Sequence, residues 1–312
     1  SPPPPPPHSA AAVWDCETLH SLLVPNDLDD HGIVNAQACW WVQTKTNEFV
    51  AVLWSTAYMH ASGAVLGANA TIPAYGIALY DKGDLDTFVG PFFGRAQMAA
   101  PNQNGTEVAI TVRASVNPVT APYINTLVHN VFSEHPTVVD HSTIASKSVH
   151  PADRVRCPAA VALSPTGDCL LAVHRPFNSV VLEILLRYPD GTFASEQSLD
   201  VSCWTSLGNT DTNPFDFYSN MFDGRSPFLK SPYSVIFSAC GRFAAVVDQR
   251  PLFGMAITNH ALVVVDLATR KKRKSIRSLP LGACEDVAPR TLYWSEAGVF
   301  FQSRQGCLLL KS

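Results

Sequence analysis

Charge is scarce in this sequence. Of 312 residues only 15% are Asp, Glu, Lys or Arg, and 22 basic against 26 acidic side chains leave a formal charge of −4. That balance disfavours a general grip on nucleic acid, which needs a basic surface to displace counterions. No apolar run reaches the roughly 18 residues of a membrane span, so no membrane partner is expected. The chain opens on Ser1 and prolines, with neither Met nor an apolar targeting region, as expected of a fragment. No two cysteines have the two-residue spacing of a zinc knuckle. There is no Gly-x-Ser-x-Gly elbow, phosphate-binding glycine loop or nucleotide fingerprint. No catalytic residue, cofactor or metal site is therefore expected, and the chain reads as a non-enzyme. Long amphipathic helical periodicity is scarce too, which argues against a sheet with crossover helices.

What the chain has is apolar content, 46% of residues, enough for a substantial core and too much for a disordered chain. The eight cysteines are too few for a disulfide framework, and several lie in apolar segments, as in Ala38-Cys39-Trp40-Trp41. Buried free thiols in a reducing compartment, cytoplasmic or nuclear, fit that setting. Two glycosylation triplets, Asn69-Ala70-Thr71 and Asn104-Gly105-Thr106, point weakly the other way. Six prolines at residues 2–7 predict a solvated polyproline II tail, and residues 1–25 are set apart as that tail plus a possible closing segment. From there to residue 312, short β-branched and aromatic runs alternate with turn residues, the pattern of strands. Residues 49–54, 75–80, 108–112 and 179–187 are such runs, and Tyr188-Pro189-Asp190-Gly191 has the residues of a β-turn. Segments 91–106, 137–157 and 205–232 read as long loops.

A short pattern recurs. Val161-Ala-Leu-Ser164-Pro-Thr-Gly167, Val235-Ile-Phe-Ser238-Ala-Cys-Gly241 and Leu292-Tyr-Trp-Ser295-Glu-Ala-Gly298 each carry an apolar strand to a Ser and a turn to a Gly. A returning strand and then a third strand follow each. Repeated three- and four-stranded antiparallel units at such intervals predict radial blades. Ala261-Leu-Val-Val-Val-Asp266-Leu-Ala-Thr269-Arg270 resembles the third strand and turn of a WD40-like β-propeller repeat, with Val265-Asp266 in place of the namesake dipeptide. Tyr80-Asp81 is a weaker echo. The resemblance covers roughly residues 158–312 and, faintly, 33–150. It implies an all-β propeller of four-stranded antiparallel blades; a β-sandwich is the alternative.

The same resemblance implies protein or peptide binding within a multi-subunit assembly. Phe215, Phe217, Tyr218, Met221 and Phe222 are apolar and aromatic without strand alternation, which suits a partner-binding loop. Arg270, Lys271, Lys272, Arg273 and Lys274 form a basic run. It reads first as a charged outer hairpin that blunts an exposed edge; phosphate or nucleic-acid contact is the sharper reading. His129, His135, His141 and His150 crowd one region but match no compact zinc pattern, so they read as solvated loop histidines. The expected function is a non-catalytic interaction scaffold. A secreted or luminal propeller enzyme or glycan binder is the alternative, and a nucleic-acid-associated subunit a third option.

Overall fold

The computed structural model describes residues 32–58, 74–113, 124–139, 141, 158, 160–174, 180–201, 235–251, 258–276, 291–295, 298–303 and 306–310. The residues expected to form the tail, Phe215 to Phe222, and His150 lie outside them. Two compact units are present, Ser1–Pro136 and Thr137–Ser312. Every regular element among the described residues is a strand.

In the first unit, β1 (Gly32–Gln43), β2 (Glu48–Tyr58), β3 (Ala74–Asp81) and β4 (Asp84–Phe93) make one antiparallel sheet in chain order. The central strand β3 is buried at every position from Tyr75 to Tyr80. Its two faces feed different clusters. Tyr75, Ile77 and Leu79 pack with Leu53 and Ile110, whereas Ala78 and Tyr80 pack with Val52 and Trp54. A central strand covered on both sides reads as a continuous apolar run, which is what residues 75–80 are. β5 (Arg95–Pro101), β6 (Glu107–Arg113) and β7 (Ile124–Asn130) form the next meander.

That meander corrects the expectation of a loop over 91–106, because β4 runs to Phe93 and β5 fills 95–101. β5 lacks β-branched residues, so its strand signal is weak. Ala96 and Met98 nevertheless face the interior across a bulge in the ladder.

The second unit opens with β8 (Thr137–Val139). It continues with a sheet of β9 (Ala160–Leu163), β10 (Cys169–His174), β11 (Val181–Arg187) and β12 (Phe193–Asp200). A second four-stranded sheet follows, of β13 (Val235–Phe237), β14 (Phe243–Pro251), β15 (Thr258–Asp266) and β16 (Lys271–Ile276). β17 (Thr291–Ser295), β18 (Gly298–Ser303) and β19 (Gly306–Leu310) make a three-stranded one. One apolar cluster, including Leu171, Val173, Leu182, Ile184, Val246 and Val263, runs through the two four-stranded sheets. Strand order follows chain order throughout. The fold is all-β, of mostly four-stranded antiparallel meanders in the manner of β-propeller blades, and among the described residues no strand exchanges between two sheets as in a Greek-key sandwich.

The recurring Ser and Gly have a shared mechanical role. Ser164 Oγ accepts the Cys169 N–H at 3.0 Å, and Ser238 Oγ accepts the Phe243 N–H at 3.0 Å. Each buried hydroxyl thus satisfies the first N–H of the returning strand. Gly167 (φ 80°) and Gly241 (φ 71°) close these turns by donating N–H to the same serine's carbonyl, a conformation costly for any residue with a Cβ. The third copy differs: Ser295 pairs directly with Gly298, so its hairpin is tighter.

Candidate functional site

Glu183 is an acidic residue in the middle of the apolar strand Val-Leu-Glu-Ile-Leu-Leu. In the antiparallel register it lies opposite Ala172, and His174 lies opposite Val181. Alternation along both strands puts Ala172, His174 and Glu183 on one face, with Leu171, Val173, Leu182 and Ile184 on the other. Glu183 and His174 are therefore diagonal neighbours, within reach of long side chains. His141, just beyond β8, completes the group. His141 Nδ1 is 2.7 Å, and His174 Nε2 2.8 Å, from the same carboxylate oxygen, Glu183 Oε2.

All three side chains are buried, Glu183 completely. Burial alone would raise the Glu183 carboxyl, but the hydrogen bonds from the two imidazoles outweigh it and hold it down at about 2. Burial pushes His174 the other way, towards its neutral form. The carboxylate is thus ionised, with Oε2 accepting twice and Oε1 without a partner among the described residues. The three residues offer ligand atoms that all lie within 4.8 Å of one another.

A second buried polar group sits in the first unit. His129, on β7, is fully buried, with Nε2 2.9 Å from the Tyr75 hydroxyl. Its ring meets Phe92 edge-on at 4.7 Å between centroids. Burial pushes His129 down to about 4 and pushes the Tyr75 phenol up. Two of the histidines expected to be solvated are therefore core residues; His135 is exposed as expected. His129 lies against the Tyr75 and Phe92 rings and His141 against Glu183 and His174, contacts between residues far apart in sequence that local spacing does not reveal.

The basic run begins in the β15–β16 turn and continues along β16, an edge strand of its sheet. Arg270 (φ 56°) pairs with Glu196 of β12, and Lys271 is exposed. Asp266 shapes this turn. Fully buried, it accepts the N–H groups of Ala268 and Thr269 through Oδ1 and meets Arg242 at 3.3 Å through Oδ2.

No family model and no curated protein matches the chain. Among solved structures it is similar to Kuenenia stuttgartiensis hydrazine synthase, at 10% identity over 80% of this chain and 78% of that one, TM-score 0.39. It is similar to TolB from Acinetobacter baumannii, at 12% identity over 82% of this chain and 49% of that one, TM-score 0.38. A chain of a mitotic checkpoint complex is similar at 12% identity over 90% and 74%, TM-score 0.42. At such identities no residue role is carried over.

Proposed function

We propose that the chain is a non-catalytic protein-interaction scaffold, a WD40-like propeller subunit of an intracellular multi-protein assembly. The observation that carries this reading is a set of aromatic side chains left in water. Trp41, on the edge strand β1, is 51% exposed, Phe132 is 47% exposed, and Tyr188 stands out from its turn. Trp41's neighbours are engaged internally: Trp40 donates Nε1–H to the Gly105 carbonyl at 3.0 Å, and Val42 is fully buried. Leaving an indole half in water forgoes roughly 1–2 kcal/mol of burial, and interface centres favour such residues. Cys39, Cys169 and Cys240 are free thiols, though Cys39 and Cys240 are exposed where burial was expected.

The test is quantitative co-purification with the unaltered chain, with Trp41→Ala/Phe132→Ala/Tyr188→Ala, and with Phe215→Ala/Phe217→Ala/Tyr218→Ala, each also melted. Loss of the same partners at an unchanged melting temperature supports the reading. An unchanged partner set in both variants refutes it.

A further inference from the structure

Buried carboxylates are costly unless every lone pair is used. Glu183 spends one oxygen on two imidazoles and leaves the other, Oε1, without a donor among the described residues at 0% residue exposure. Two imidazole nitrogens and one carboxylate are also the donor set of a three-ligand zinc site, with a fourth position left for water. Imidazole nitrogen selects zinc and its transition-metal neighbours over calcium or magnesium, which prefer all-oxygen shells.

We propose that His141, His174 and Glu183 form a divalent-metal site of the zinc type, which pins the segment after β8 to the β9–β12 sheet. This goes beyond the scaffold reading and does not depend on it. The geometry needs only a small opening. Ligand atoms around a tetrahedral zinc stand about 3.3 Å apart for bonds of about 2.0–2.1 Å, against contacts of 2.7 and 2.8 Å here. Both histidines give their Oε2-facing nitrogen to the metal, so each ring's proton moves to its other nitrogen, Nε2 in His141 and Nδ1 in His174. No net proton is released when both rings start neutral. The ion would tie β10 and β11, nine residues apart at His174 and Glu183, to a residue 42 positions from Glu183.

The experiment uses the whole chain, stripped with a chelator and kept reduced with a phosphine. It is titrated with Zn²⁺ against a chromophoric chelator, and in parallel with Co²⁺. A single equivalent should bind, raise the melting temperature with free metal, and give a cobalt d–d spectrum lacking the thiolate charge-transfer band. Binding should weaken roughly a hundredfold or more in Glu183→Gln and in His141→Ala. The second variant lies outside the strands and keeps the test open if the first does not fold. Absent binding, a thiolate band, or full binding in either folded variant overturns the proposal. If neither variant folds, the cobalt spectrum of the unaltered chain decides.

Discussion

Acid should loosen the first unit through one imidazole. His129 is fully buried between Tyr75 and Phe92, and burial holds its pKa at about 4, against 6.5 ordinarily. Protonating it would put a charge among apolar rings with, among the described residues, only the Tyr75 oxygen at hydrogen-bond distance. In the unfolded chain the ring takes its proton near pH 6.5, while the folded chain refuses it until about pH 4. The unfolded state therefore binds more protons between those values, and stability falls as pH drops through that window. It is unaffected by this ring above about pH 6.5 and levels off below about pH 4. From about pH 7 to about pH 5 the loss amounts to roughly 2 kcal/mol.

The perturbation that isolates it is His129→Gln, which keeps a carbonyl oxygen for the Tyr75 hydroxyl and cannot titrate. Urea unfolding of both proteins at the two pH values gives the double difference, from which the other histidines cancel. The variant should be less stable at neutral pH, by the packing it loses, yet lose about 2 kcal/mol less on acidification. Parallel pH profiles would show that His129 is protonated in the folded chain or in contact with water, and would sink the reasoning.

Two glycines with positive φ separate strain from collision. Gly191→Ala (φ 87°, nothing within 4 Å of the added carbon) should cost about 1 kcal/mol, whereas Gly105→Ala sets its Cβ 1.9 Å from the Trp41 carbonyl oxygen and should cost more than about 4 kcal/mol in the same melts. Ser238→Ala removes the acceptor for the Phe243 N–H and should cost about 1 kcal/mol in urea unfolding. Asp266→Ala orphans the turn N–H groups and should cost about 2 kcal/mol; Arg242→Ala, whose side chain is mostly in water, should change stability by less than about 1 kcal/mol, and equal losses would mean the ion pair rather than the turn is what Asp266 holds.

The blade pattern was legible because its signals are local. A Ser whose hydroxyl takes the returning strand's first N–H and a Gly at positive φ are needed at fixed offsets, so they recur visibly at Ser164/Gly167 and Ser238/Gly241. Asp190 shows the same logic: its carboxylate accepts the Thr192 N–H and hydroxyl inside the turn read from Pro189-Asp190-Gly191. Strand β5 was not legible, since Ala96, Met98 and Ala99 carry little β-propensity. Ala96 and Ala99 pack in a cluster with residues of other strands of the unit, among them Leu53 of β2 and Ile110 of β6. There tertiary packing overrides local preference, and no window of β5 alone contains the reason.

The buried cluster divides in the same way. Glu183 carried a signal in its own strand: a carboxylate flanked by Leu182 and Ile184 in a run that is otherwise apolar must be paired or pay heavily for burial. His174, ending Leu-Leu-Ala-Val-His, sits two places along the same face once the hairpin register is known, so the pair was deducible from alternation. His141 was not. It belongs to no repeat and stands beside Asp140 and Ser142, a polar setting that reads as solvent-facing. Its burial depends on where the chain passes after β8, which no local pattern specifies. A three-ligand group drawn from two paired strands and one connecting segment is thus two-thirds a register problem and one-third a topology problem. Metal-site searches keyed to close sequence spacing miss such groups; an isolated acid inside an apolar strand is the better starting point.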